Sequence, residues 1–267
     1  MKNVILILFV LIISFSCSNH KKESPSVVTK EVTYTADGTT LKGFLAYDEN
    51  IEGARPGVIV VHEWWGHNQY ARKRAMMLAE LGYTALAIDM YGDGKQANHP
   101  NDAGKFAMEV MQNMPAAKAR FEAGVKFLKD QPQTDGKKLA AIGYCFGGGV
   151  VLRMAVAGED LAGVVSFHGG LPTDSVTNPK QVKAKLLVCN GADDGFVPAE
   201  QIDAFKKAMV DAGINFKFVN YPGAIHAFSN PDADSLGKKF DLPLAYNKQA
   251  DEGSWRDMKV FLIEIFK

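Results

Sequence analysis

The sequence predicts an α/β fold: a mostly parallel central sheet with helices on both faces, entered through an N-terminal antiparallel hairpin. Three observations carry that expectation. Short apolar runs recur along the chain, among them "GVIVVH", "YTALAIDM", "KLAAIGY" and "AKLLVCNG", and strands that are apolar on every residue are those buried on both faces. Segments of helical length separate the runs, which is the rhythm of parallel strands joined by crossover helices. The 267 residues are 47% hydrophobic and 22% charged, which suits one large domain with a substantial core.

In order along the chain, Lys2 precedes the apolar run "VILILFVLIISF", which is shorter than the roughly 20 residues that span a bilayer. Ser16 and Cys17 follow, so residues 1–17 read as a secretion signal, and the "SFSC" ending resembles a bacterial lipoprotein signal in which Cys17 carries the lipid. Plain secretion is the alternative. A polar linker over 18–29 leads into the folded domain over 30–267. "VVTKEVTYTA" and "TLKGFLAYD" alternate around "DGT" as a hairpin. The strands that follow are separated by helical segments over Asn68 to Leu81, Asp102 to Asp130, Phe146 to Ala157 and Ala199 to Ala212, with a last helix near Trp255 to Phe266.

Lys plus Arg and Asp plus Glu are both 30, so no net field draws the chain to nucleic acid or an anionic membrane, and a small-molecule partner fits better. Membrane attachment is expected only through lipid at Cys17. Beyond Cys17 the chain has Cys145 and Cys189, too few for a disulfide framework. Cys189 ends an apolar run and reads as a buried strand residue.

In open parallel sheets the functional groups lie beyond the carboxyl ends of the strands. Those ends carry "HEWWGH", "DMYGDG", "GYCFGG", "FHGG", "GADDGFVP" and "GAIHAF". Gly143 to Gly147 form a G-x-C-x-G turn, the cysteine version of a nucleophile elbow. Its glycines make room where strand and helix crowd together, and Cys145 sits at a helix N-terminus that favours thiolate. An acid and a base follow in the order such a site needs: Asp194 or its neighbour Asp193, then His226. Asp194 is preferred because it lies three residues after Gly191 and three before Val197. In "HEWWGH" the histidines are five apart and the first ends a strand, whereas a zincin helix needs them four apart, so neither a metal nor another cofactor is expected.

From about Val32 onward the chain resembles the dienelactone hydrolase family of α/β-hydrolases, on the strength of "HEWWG", "DMYGDG", "GYCFGG", "GADDGFVP" and "YPGAIHAF" taken together. The resemblance implies an α/β-hydrolase fold and a Cys145, His226 and Asp194 triad that cleaves a carboxylic ester or lactone through a thioester acyl-enzyme. It also implies that Glu63 lies near the thiol and controls its protonation, and that the backbone N–H groups of Trp64 and Phe146 form the oxyanion hole. Glu63 as a carboxylate that merely holds its loop is the alternative. Tyr91 and Trp65 are candidates for contact with substrate, each with packing as its alternative. Where the family has two arginines that grip a substrate carboxylate, this chain has Asp93 and Asn230, so a carboxylated dienelactone lacks its usual anchor.

The expected function is therefore hydrolysis of small esters or lactones. Acyl transfer on the same triad and non-catalytic ligand binding on a hydrolase scaffold are the alternatives. The segments Asn98 to Met114 and Ser229 to Asn247 are expected to border the pocket.

Overall fold

The computed structural model describes residues 24–267. Cys17 and the apolar run before it lie outside the described residues. Among those described, no helix is long and apolar enough to cross a membrane.

The entry hairpin pairs β1 (Val27–Ala36) with β2 (Thr39–Asp48), Val27 opposite Asp48. β1 is the expected run "VVTKEVTYTA", and the linker therefore gives way at Val27 rather than after residue 29, because Val27 to Thr29 find backbone partners in Ala46 to Asp48. Then come β3 (Arg55–Val61), α1 (Gln69–Glu80), β4 (Thr84–Ile88), α2 (Pro100–Gln112), α3 (Met114–Lys129), β5 (Thr134–Tyr144) and α4 (Phe146–Val156). The chain continues through β6 (Gly163–Phe167), β7 (Lys185–Gly191), α5 (Ala199–Asp211), β8 (Phe216–Tyr221), α6 (Ala233–Phe240) and α7 (Lys248–Ile265).

The eight strands form one sheet in the order β1-β2-β4-β3-β5-β6-β7-β8. β2 meets β4 antiparallel, and from β4 to β8 every pair is parallel. Residues of β3 to β7 point alternately into two cores, which is why their sequences are apolar throughout. One core packs Phe121 of α3, Val151 of α4 and Phe205 of α5 against one face. The other packs Leu78 of α1 and Met258 and Phe261 of α7 against the opposite face.

Three helical boundaries differ from the expected ones. The single segment over Asp102 to Asp130 is two helices broken at Asn113, whose side chain accepts the Ala116 N–H while Pro115 sits in the first turn of α3. Proline is well placed there because its missing donor has no partner in a first turn anyway. The last helix begins at Lys248, seven residues before Trp255, because the Asn247 side chain accepts the Ala250 N–H and caps it. Finally, α6 lies within Ser229 to Asn247, where no helix was expected.

Candidate active site

β5 ends at Tyr144 and α4 begins at Phe146, leaving Cys145 alone between them with φ 53° and ψ −116°. That conformation is strained for a residue with a side chain and needs support from its surroundings. A Cβ on Gly143 would lie 2.0 Å from the Gly147 carbonyl oxygen, and one on Gly147 would lie 2.4 Å from that of Val61, so both flanking positions must be glycine. The Cys145 N–H is shared between the Phe167 carbonyl at 3.0 Å and His168 Nδ1 at 3.2 Å. The thiol is thereby held at the N-terminus of α4.

Two loops from strands β7 and β8, farther along the same side of the sheet, complete the cluster. His226 follows β8 and brings Nε2 to 3.1 Å from Cys145 Sγ. Its Nδ1 lies 2.8 Å from Asp194 Oδ2, on the turn after β7. Asp194 is buried and its other oxygen accepts the Phe196 N–H at 2.9 Å, whereas Asp193 is exposed. Burial opposes a charge on His226, but the adjacent Cys145 and Asp194 outweigh it and push the imidazole up to about 10. The surrounding therefore favours the cationic imidazole.

Glu63 is 2% exposed and its Oε2 accepts from Asn230 Nδ2 at 2.7 Å, while Oε1 has no partner. Burial pushes its carboxyl up to about 7, opposed by the Asn230 hydrogen bond and by His226. Asn230 thus ties down the carboxylate at the place where an arginine was missing. No hydrogen bond joins Glu63 to the thiol, which turns to His226. The Glu63 loop is fixed from behind: the Met90 N–H donates to His62 Nε2, which leaves the proton on Nδ1 to donate to the Glu63 carbonyl. The backbone N–H groups of Trp64 and Phe146 donate to no group among the described residues.

A cavity of about 310 Å³ opens beside the thiol, with Trp64, Phe146, Leu171 and Phe196 on its walls. Met111 of α2 and Leu242 and Leu244 after α6 close it, so both segments expected at the pocket contribute. Tyr91 and Trp65 do not line it. The Tyr91 hydroxyl donates to the Trp64 carbonyl at 2.9 Å, and Trp65 stacks on Phe240 at 5.8 Å between ring centroids. Both brace the wall from outside rather than meet the cavity, because their polar or flat faces are already engaged. Asp93 is exposed and also stands away from the cavity.

Sequence reasoning missed His168. It is fully buried with φ 39°, and the Cys145 N–H reaching its Nδ1 leaves the ring proton on Nε2, 2.7 Å from Ser229 Oγ. Ser229 Oγ lies 2.7 Å from the Tyr70 hydroxyl, and Arg74 donates to Tyr70, to the Ser229 carbonyl and to Asp251. Burial, with His226 and Arg74 nearby, holds His168 well below the usual histidine range, so it is neutral. Its place in "FHGG" at a strand end was the available signal, but its partners come from α1 and from the loop after β8. Cys189, by contrast, is a buried strand residue whose thiol burial pushes up to about 12.

The model of the dienelactone hydrolase family matches residues 41–266. Protein usf of Aquifex pyrophilus is 31% identical over 209 residues, covering 77% of this chain and 89% of that protein. A Saccharolobus solfataricus protein provisionally named carboxymethylenebutenolidase is 28% identical over 275 residues, covering 89% of this chain and 99% of its own length. Among solved structures, a dienelactone hydrolase-like promiscuous phosphotriesterase from metagenomic libraries superposes with a TM-score of 0.85 at 34% identity, covering 90% of this chain and 99% of that one.

Proposed function

The chain belongs to the dienelactone hydrolase family, and from that premise we propose that it hydrolyses small carboxylic esters or lactones with Cys145 as nucleophile. The observation that carries the reading is the continuous line from Sγ to His226 at 3.1 Å and on to Asp194 at 2.8 Å. His226 holds the thiol proton, and the thiolate attacks the carbonyl carbon. The oxygen that gains charge is received by the free N–H groups of Trp64 and Phe146, both at the cavity wall beside Cys145. Imidazolium then returns the proton to the leaving oxygen as the C–O bond breaks, and a thioester remains. A water deprotonated by His226 attacks that thioester, releasing the acid and restoring the thiol. Asp194 fixes the tautomer and orients the ring throughout. Glu63, ionised above about 7, places a negative charge near the His226 cation.

Around the reacting carbon the substrate is neutral, because neither Asp93 nor Asn230 supplies a cation there. The apolar walls support this, as does the phosphotriesterase named among the structural relatives, since phosphotriesters are uncharged esters. Export, with lipid on Cys17, is the proposed location of the enzyme.

The test is hydrolysis of a neutral aryl ester. Cys145→Ala lowers kcat by about four to six orders of magnitude, and Cys189→Ala leaves it unchanged. A folded Cys145→Ala protein that still turned the ester over at the parent rate would remove the thiol from the mechanism.

A further inference from the structure

Arg153 is one of six arginines, and among the described residues it is the one that is largely withdrawn from solvent yet donates no hydrogen bond. Among the described residues Arg55, Arg72, Arg74 and Arg120 each donate hydrogen bonds, and Arg256 is exposed. Arg153 is only 33% exposed and donates none. Its one ionic neighbour is Asp174 at 3.8 Å, a carboxylate that is 87% exposed and too far for a hydrogen bond. Among the described residues, Arg153 and His226 are the ionisable nitrogen side chains on the wall of the cavity that holds the thiol. A half-buried guanidinium with an apolar cavity on one side and a weak partner on the other is a site prepared for an anion.

Its position also sets which part of a substrate it meets. Cys145, Gly149 and Arg153 are spaced four apart, share one face of α4 and all line the cavity. Gly149 puts no side chain between the other two. The helix rises about 12 Å over those eight residues, and helical side chains lean back toward the N-terminus, which brings the guanidinium closer to the thiol. The leaving oxygen must sit at His226, and Phe196, which meets that ring edge to face, is 51% exposed at the mouth. The leaving group therefore departs toward solvent and the acyl chain runs the other way, along α4.

We propose that Arg153 binds a carboxylate at the far end of the acyl chain, so that the favoured substrates are monoesters of dicarboxylic acids with an apolar spacer of several carbons. This rests on the ester hydrolysis proposed above. It is compatible with a neutral surrounding at the reacting carbon, because the charge is recognised at the opposite end of the cavity. The product is the free dicarboxylate, with one acid group at the thiol and the other at Arg153.

The experiment compares the p-nitrophenyl monoester of suberic acid with p-nitrophenyl octanoate, which has the same chain length without the charge. The parent enzyme favours the suberate ester in kcat/KM by roughly ten- to a hundredfold at low salt. Arg153→Gln loses that preference through KM while octanoate turnover is unchanged, and Arg153→Lys keeps part of it. If octanoate is hydrolysed and the suberate ester is no better, the assignment of Arg153 is wrong and the esterase reading stands. An equal loss on both esters in Arg153→Gln would likewise overturn it, by showing a structural role. If neither ester is hydrolysed, the esterase reading fails. Calorimetric titration with suberate then decides Arg153 alone: binding at least tenfold weaker in Arg153→Gln supports the site, and equal or undetectable binding in both proteins overturns it.

Discussion

On one side of Cys145 a buried polar cluster runs from His168 through Ser229 and Tyr70 to Arg74 and Asp251. On the other side lies the cavity, walled by side chains such as Met111, Leu171 and Leu244. The two histidines at this boundary, with ring centroids 5.4 Å apart, show what the difference does. His226 faces a carboxylate and the thiol and is driven toward its cation, whereas His168 accepts a backbone N–H, faces Arg74 and is kept neutral. Residue type is the same; the surroundings separate a group driven toward its cation from one that is neutral and receives a backbone N–H. The polar side fixes geometry, and the apolar side is where the proposed substrate enters.

If that division is right, the largest stability effect belongs to the polar side. Arg74 and Asp251 are 4% and 16% exposed in their side chains and 2.6 Å apart. Removing one partner of a buried pair leaves the other uncompensated, so Arg74→Ala costs about 3–5 kcal/mol in chemical denaturation. A loss below about 1 kcal/mol, the range of surface pairs, would mean the cluster is not the scaffold.

Glu63 stands between the two sides and sharpens the comparison through pH. Its folded carboxyl titrates near 7 against 4.5 for the ordinary group, so folding favours the protonated form. Its contribution is fully present below about 4.5, falls as pH rises through about 7 and stays lost above that. The span corresponds to about 3 kcal/mol. Glu63→Gln keeps an acceptor for Asn230 and removes the ionisation, so its stability relative to the parent improves by about that amount between pH 5 and pH 8. Urea unfolding of both proteins at the two pH values checks this; parallel curves would place the titration elsewhere.

The smallest effect tests whether His168 acts by position alone. Misplacing the elbow by a fraction of an ångström to 1 Å costs roughly ten- to a hundredfold in kcat, and His168→Ala should show that loss with KM unchanged. His168→Asn, whose side-chain oxygen can accept the Cys145 N–H, should recover most of it. Failure of Asn to rescue, or a loss carried by KM, would move His168 to the substrate side of the boundary.

The central strands were legible in the sequence because burial on both faces leaves them continuously apolar, as "VIVV" of β3 and "LLVC" of β7 show. The cluster of Cys145, Asp194 and His226 was legible because each member sits in a turn at a strand end, with its spacing set by that turn. What escaped depends on contacts distant in sequence. The break at Asn113 rests on a cap, and His168 gains its place only when Ser229 and Cys145 close around it. For Tyr91 and Trp65 the sequence leaves substrate contact and packing both open, because a loop at the site has two sides, and theirs face Trp64 and Phe240. The first strand was legible from its first residue, since β1 covers the whole of "VVTKEVTYTA", and only the linker boundary at residue 29 runs too far into it.

The break between α2 and α3 has a consequence for how such an enzyme can change. α2 leans on α3 rather than on the sheet, and Leu242 and Leu244 belong to the connection after α6, so three of the cavity's walls hang from segments that carry none of the elbow's geometry. Those walls can be exchanged, lengthened or reshaped while Cys145, His226 and Asp194 keep their distances. The acyl group admitted and the chemistry done to it are therefore separable traits, each open to drift or redesign without dismantling the other.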